Sequence, residues 1–108
     1  MADVQERIKQ LVTDNRVMLF MKGDRDFPQC GFSMRAVNIV NALGVNYETL
    51  NVLADNEVRQ GIKEYANWPT IPQLYIDGEF QGGSDIVWEL YQNGDLEKKV
   101  AEHTKVAE

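Results

Sequence analysis

Cys30 is the one cysteine in a chain of 108 residues, and it follows a proline-containing loop and opens a stretch patterned as a helix. A helix N-terminus offers unpaired N–H groups and roughly half a positive charge, and both favour a thiolate over a thiol. Lys22 ends the apolar run before that loop and can bring a cation close to the sulfur. A thiolate held this way is a nucleophile or a metal ligand. The competing reading is a buried apolar cysteine, a frequent fate of free Cys, and the placement of Cys30 favours the reactive one. An internal disulfide is excluded. A lone thiol in a chain without an export signal fits a reducing compartment, read here as the cytoplasm, or an organelle matrix if a transit peptide has been removed.

Three further groups could serve a ligand beside that sulfur. Arg59 and Lys63 are four apart and share one helix face. With Lys22 they can converge on a carboxylate, although such pairs more often form a solvated surface. Trp68-Pro69-Thr70-Ile71-Pro72 is a rigid, proline-punctuated turn. Gly82-Gly83-Ser84-Asp85 combines two glycines, which allow close approach of a ligand to the backbone, with a helix start whose amides suit an anion.

The elements that must position these residues alternate in type. Val4, Ile8, Leu11 and Val12 predict an amphipathic helix over 3–14. Val17 to Met21 is a continuous apolar run, as in a buried central strand. Residues 22–29 form a loop, 31–43 a helix stopped by Gly44, and 47–52 a strand. Asp55 caps a helix reaching about Ala66. Residues 73–76 and 79–81 are strands joined by an Asp77-Gly78 hairpin turn. Ser84 is expected to cap a helix carrying Ile86, Val87, Leu90 and Tyr91 on one face. From Asp95 the chain continues as a charged helical tail. This order predicts an α/β fold: a four-stranded mixed sheet flanked by helices, with an extra N-terminal helix and a C-terminal helical tail. Two parallel strands joined by the helix after Cys30 make a right-handed crossover.

Size and composition agree with a single domain over 1–108. The chain is 44% hydrophobic, enough for one core. Its net charge of −6 excludes a general nucleic-acid binder, since phosphate contacts need clustered Lys and Arg. The apolar run 17–21 is far too short to span a membrane.

Cys30-Gly31-Phe32-Ser33 reads CGFS, preceded by Lys22-Gly23 and Pro28-Gln29. Trp68-Pro69-Thr70-Ile71-Pro72-Gln73 and Gly82-Gly83-Ser84-Asp85-Ile86 follow downstream. In this order and spacing, over nearly its whole length, the chain resembles the monothiol, CGFS-type glutaredoxins of the thioredoxin-fold superfamily. The resemblance implies a thioredoxin/glutaredoxin fold and a bound glutathione. Ser33 stands where dithiol relatives carry a second cysteine, so disulfide chemistry here needs an outside thiol. By the same resemblance Lys22 and Arg59 contact the glycyl carboxylate of glutathione, with Lys63 adding charge. The resemblance also implies a cis Ile71–Pro72 bond that turns the Ile71 backbone towards Cys30. The amides at Ser84 and Asp85 hold the γ-glutamyl carboxylate, and Asp85 takes the amine. The family often has cysteine at the Ser84 position, so serine removes a regulatory thiol but not the site. Gly31 leaves space beside the sulfur, whereas Phe32 is expected to pack in the core.

A labile [2Fe-2S] cluster is the implied cargo. It needs four ligands. Cys30 and one glutathione supply two, so a homodimer sharing the cluster between subunits completes the set. His103, the one histidine, is not expected to ligate. Implied partners are a BolA-like protein and apo iron–sulfur proteins as recipients. The alternative reading is a glutathione-dependent thiol–disulfide oxidoreductase that removes glutathione from proteins with Cys30 as nucleophile. The resemblance makes that activity weak at most, because the loop 23–29 is longer than in dithiol relatives.

Overall fold

The structure, a computed structural model, describes residues 3–107, and side chains from residue 3 to residue 101. The His103 side chain lies outside them. Helix α1 (Val4–Asp14) leads into strand β1 (Val17–Met21), and helix α2 (Gly31–Leu43) into strand β2 (Glu48–Asn51). A short 3-10 turn (Val52–Ala54) precedes helix α3 (Asn56–Ala66). Strands β3 (Gln73–Ile76) and β4 (Glu79–Gly82) form a hairpin, followed by helices α4 (Ser84–Gln92) and α5 (Asp95–Ala107). The strand order is β2-β1-β3-β4. β1 and β2 run parallel, and β3 is antiparallel to both β1 and β4. This is the thioredoxin-like α/β fold that the element order predicts.

β1 is buried along its whole length because helices cover both faces of the sheet. Its side chains still alternate. Val17, Leu19 and Met21 join Leu74 and Ile76 of β3 under α2, α4 and α5, whereas Met18 and Phe20 join Tyr75 under α1 and α3. The continuous apolar run therefore hides a period of two, feeding two core layers.

Local chemistry sets the helix ends. The Asp3 carboxylate accepts from the Gln5 N–H and caps α1. Asp55 accepts from the Val58 N–H and caps α3. Its pKa is lowered, first by the hydrogen bond from Arg7 and then by that cap. Gly44 closes α2 in the left-handed conformation. The Asp77-Gly78 turn has positive φ at both residues, as a two-residue hairpin requires.

Apart from Asp3, which caps α1 rather than joining it, three boundaries differ from expectation. The strand over 47–52 shortens to 48–51, because the Asn51 side chain accepts from the Leu53 N–H and starts the 3-10 turn. β4 runs one residue further, to Gly82. Ser84 is not the cap of α4: Gly83 takes that place, and Ser84 is the first helical residue, its hydroxyl engaged elsewhere.

Candidate functional site

Cys30 occupies the N-cap of α2 with extended backbone (φ −152°, ψ 136°), half-buried, and its carbonyl accepts from the Met34 N–H at 2.9 Å. Its side chain makes no cap hydrogen bond, and the amides of the first turn act on the sulfur electrostatically. The thiol pKa is lowered. The Ser33 amide contributes most, the Phe32 amide, the Lys22 charge and the Ser33 hydroxyl add to it, and partial burial opposes them. The helix terminus and the lysine thus act as their chemistry requires.

Ser33 does more than fill the place of a second cysteine. It is fully buried, and its hydroxyl accepts the Lys22 N–H at 3.1 Å. The end of β1 is thereby tied to the first turn of α2. The loop between them closes on itself through Gln29 N–H to Lys22 carbonyl (2.9 Å) and is tethered to β2 by Gly23 N–H to the Asn51 side chain (2.9 Å).

A cavity of about 180 Å³ is lined by Phe32, two residues after the cysteine, by the Trp68–Pro72 turn and by the start of α4. Ile71 and Ser84 are buried in its wall, Thr70 and Asp85 are exposed at it, and the Ile71–Pro72 bond is cis. Phe32 is 60% exposed and not in the core, contrary to expectation. The reason is rotational. Ser33 takes the inward position and Ala36, Val37 and Val40 continue its face, which turns Phe32 outward by one helical step.

The Trp68–Pro72 turn is supported from within. Fully buried Gln73 donates to the carbonyls of Trp68 (3.2 Å) and Thr70 (3.1 Å) and accepts from the Tyr75 hydroxyl at 2.9 Å. The Trp68 Nε1–H is buried and has no partner among the described residues. A Cβ on Gly83 would sit 3.1 Å from that nitrogen and 3.6 Å from the Thr70 hydroxyl, so glycine keeps this wall open.

Of the expected cations, Lys22 acts on the sulfur. Arg59 and Lys63 lie half-buried on α3 without ion pairs among the described residues, and neither lines the cavity. Asp85 does line it and is paired with Arg35, which also donates to Ser84. Arg35 was not marked by any sequence motif. Its partners lie 49 and 50 residues away. No helix among the described residues is long and apolar enough to cross a membrane.

A lone thiol of lowered pKa at a helix tip, a cis-proline turn and a four-stranded mixed sheet together define a thiol protein of the thioredoxin fold. The glutaredoxin family model matches residues 17–81. The chain is 65% identical over 96 residues to an uncharacterized monothiol glutaredoxin of Synechocystis, covering 89% of this chain and 90% of that one. It is 52% identical to a probable monothiol glutaredoxin 2 of Rickettsia typhi, covering 92% and 89%. Among solved structures, reduced apo GrxS14 of poplar superposes with a TM-score of 0.80 at 49% identity, over 92% of this chain and 91% of that one. The chain belongs to the glutaredoxin family, and with Cys30 alone it is a monothiol member.

Proposed function

We propose that the protein binds glutathione beside Cys30 and, as a dimer, carries a labile [2Fe-2S] cluster to apo iron–sulfur proteins. The observation that carries this reading is the lowered thiol pKa of Cys30 at the tip of α2, the helix whose first turn also lends Phe32 to the cavity wall.

The residues present fit glutathione. The orphaned Trp68 Nε1–H and the Gly83 backbone, open for want of a Cβ, mark a polar wall that awaits a partner. The Ile71 backbone offers an edge for the peptide. The first turn of α4 offers amides for the γ-glutamyl carboxylate, and Asp85 a carboxylate for the amine. Lys22 supplies charge for the glycyl carboxylate, and Arg59 is the second cation assigned there. Bound glutathione supplies the second thiolate that this chain lacks.

Among the described residues no three His, Cys, Asp or Glu side chains gather as a metal site. One chain therefore offers one thiolate, Cys30, to cluster cargo. Two chains and two glutathiones reach the four ligands required. Half of such a ligand set exchanges with solution, which suits delivery. Partners in this reading are a second copy of the chain, a BolA-like protein and recipient apoproteins, in a reducing cytoplasm or organelle matrix.

The lowered Cys30 pKa also serves a second reading. The thiolate can attack the glutathione sulfur of a protein–glutathione disulfide, release the protein thiolate, and leave a Cys30–glutathione disulfide. A second glutathione then resolves it as oxidised glutathione. One experiment separates the two. Anaerobic reconstitution with iron, sulfide and glutathione should yield visible charge-transfer absorbance and a dimer by size, both lost in Cys30→Ser. Brisk metal-free deglutathionylation without that absorbance would leave the enzyme reading in its place.

A further inference from the structure

Arg35 lies on α2, five residues after the cysteine, and reaches across to the start of α4. Its Nε donates to the Ser84 hydroxyl at 2.9 Å and its Nη2 to Asp85 Oδ1. One edge of the guanidinium thus grips two successive residues, a two-point hold that its planar fork allows and an ammonium does not. Both partners line the cavity. We propose that Arg35 is the positioning residue that fixes the Asp85 carboxylate for recognition of a ligand's α-amine. The proposal rests on the glutathione reading and deepens it.

The argument starts from how little else restrains Asp85. Its side chain is 88% exposed, and no other hydrogen bond or ion pair among the described residues reaches it. Such a carboxylate on the first turn of a helix samples several rotamers, and a ligand ammonium must select one. Arg35 makes that selection in advance, which is how preorganisation raises affinity. It does so without blocking the group. A carboxylate accepts at about four lone-pair positions, and the pairing engages Oδ1 alone. The hydroxyl of Ser84 is used by the same guanidinium, so the amides of the α4 first turn stay available to a ligand carboxylate.

The opposite role is equally concrete. Arg35 could compete with the ligand ammonium for Asp85 and act as a self-inhibitor. The open Oδ2 favours positioning, and the two roles give effects of opposite sign.

The test is a calorimetric titration of the reduced, full-length protein with glutathione and with its desamino analogue, which lacks only the α-amine. The wild type, Arg35→Gln, Arg35→Lys and Asp85→Asn are compared. The wild type should prefer glutathione, and Asp85→Asn should erase that preference. Arg35→Gln should weaken glutathione by up to about fivefold, the range exposed ion pairs reach, and leave the analogue nearly unchanged. Arg35→Lys should recover part of the loss, since it keeps the charge but not the two-point hold. If Arg35→Gln binds glutathione more tightly, weakens both ligands equally, or keeps the full preference, the positioning role is overturned while the glutathione site stands. If the wild type binds neither ligand, the glutathione reading fails and this inference falls with it.

Discussion

Ser33 shows how one side chain can matter for what it does as well as for what it replaces. Its backbone N–H is the strongest influence lowering the Cys30 pKa, and its buried hydroxyl adds a smaller one while accepting from Lys22. Ser33→Ala keeps the amide and removes the hydroxyl. The Cys30 pKa should therefore rise, yet stay below that of the unfolded chain. The rate of iodoacetamide alkylation against pH reports it: the wild-type midpoint lies lowest, Ser33→Ala next, and the urea-unfolded chain highest. Coincident wild-type and Ser33→Ala profiles would remove the hydroxyl from the account. The same variant leaves the half-buried Lys22 N–H without its partner, a loss of about 1 kcal/mol, measurable as a lower urea midpoint. Linkage gives the sign for the thiol itself. A folded-state pKa below the unfolded one means that ionised Cys30 stabilises the fold. That contribution is complete above the unfolded pKa and disappears as pH falls through the folded one, so Cys30→Ser should narrow its stability gap to the wild type as the solution is acidified.

The junction of β4 and α4 is where an element boundary shapes the site. Gly82 ends the strand at φ +138°, a region that side chains rarely adopt, and a Cβ there would lie 2.7 Å from the Cβ of Ile86. Ile86 lines the cavity, and its Cβ is fixed to the α4 backbone, so it cannot swing aside. Gly82→Ala should cost at least about 1–3 kcal/mol from backbone strain alone and displace the start of α4. A urea midpoint within error of the wild type would contradict this. The sequence foretold such elements wherever a local signal exists: the apolar run 17–21, the Asp55 cap, the Asp77-Gly78 turn, and the glycines before α4. It placed Cys30 at the α2 tip, and the resemblance to glutaredoxins, not a local signal, made Ile71–Pro72 cis. What it missed is tertiary. Helical period identifies the face α2 buries but not which inward position Ser33 claims, so composition alone sends Phe32 to the core. The grip of Arg35 on Ser84 and Asp85 joins residues some 50 positions apart, and no local pattern encodes it. The same grip occupies the Ser84 hydroxyl, which local sequence alone marks as a helix cap.

At the scale of the molecule, two apolar layers share one sheet. β1 and β3 send alternate side chains into both, so neither layer can loosen without exposing the strands that hold the other. This predicts a single cooperative unfolding transition. The C-terminal helix tests it, because α5 reaches the core through Leu96, fully buried, and Val100 in the layer with α2 and α4. Leu96→Ala should cost about 2–5 kcal/mol, the range for a buried leucine that leaves a cavity. That is a large share of the roughly 5–15 kcal/mol that stabilises a domain. The loss should come as a shift of one transition, with circular dichroism and tryptophan fluorescence (Trp68 lies in the turn that lines the cavity, and Trp88 on α4) moving together. It should not come as an early partial melt of α5. The alkylation midpoint of Cys30 should stay in place, since Ser33, Phe32 and Lys22, which set it, lie outside that apolar cluster. Two separated transitions would contradict the shared-sheet account, and a thiol that titrates differently in the folded variant would reveal a coupling of tail and site beyond it.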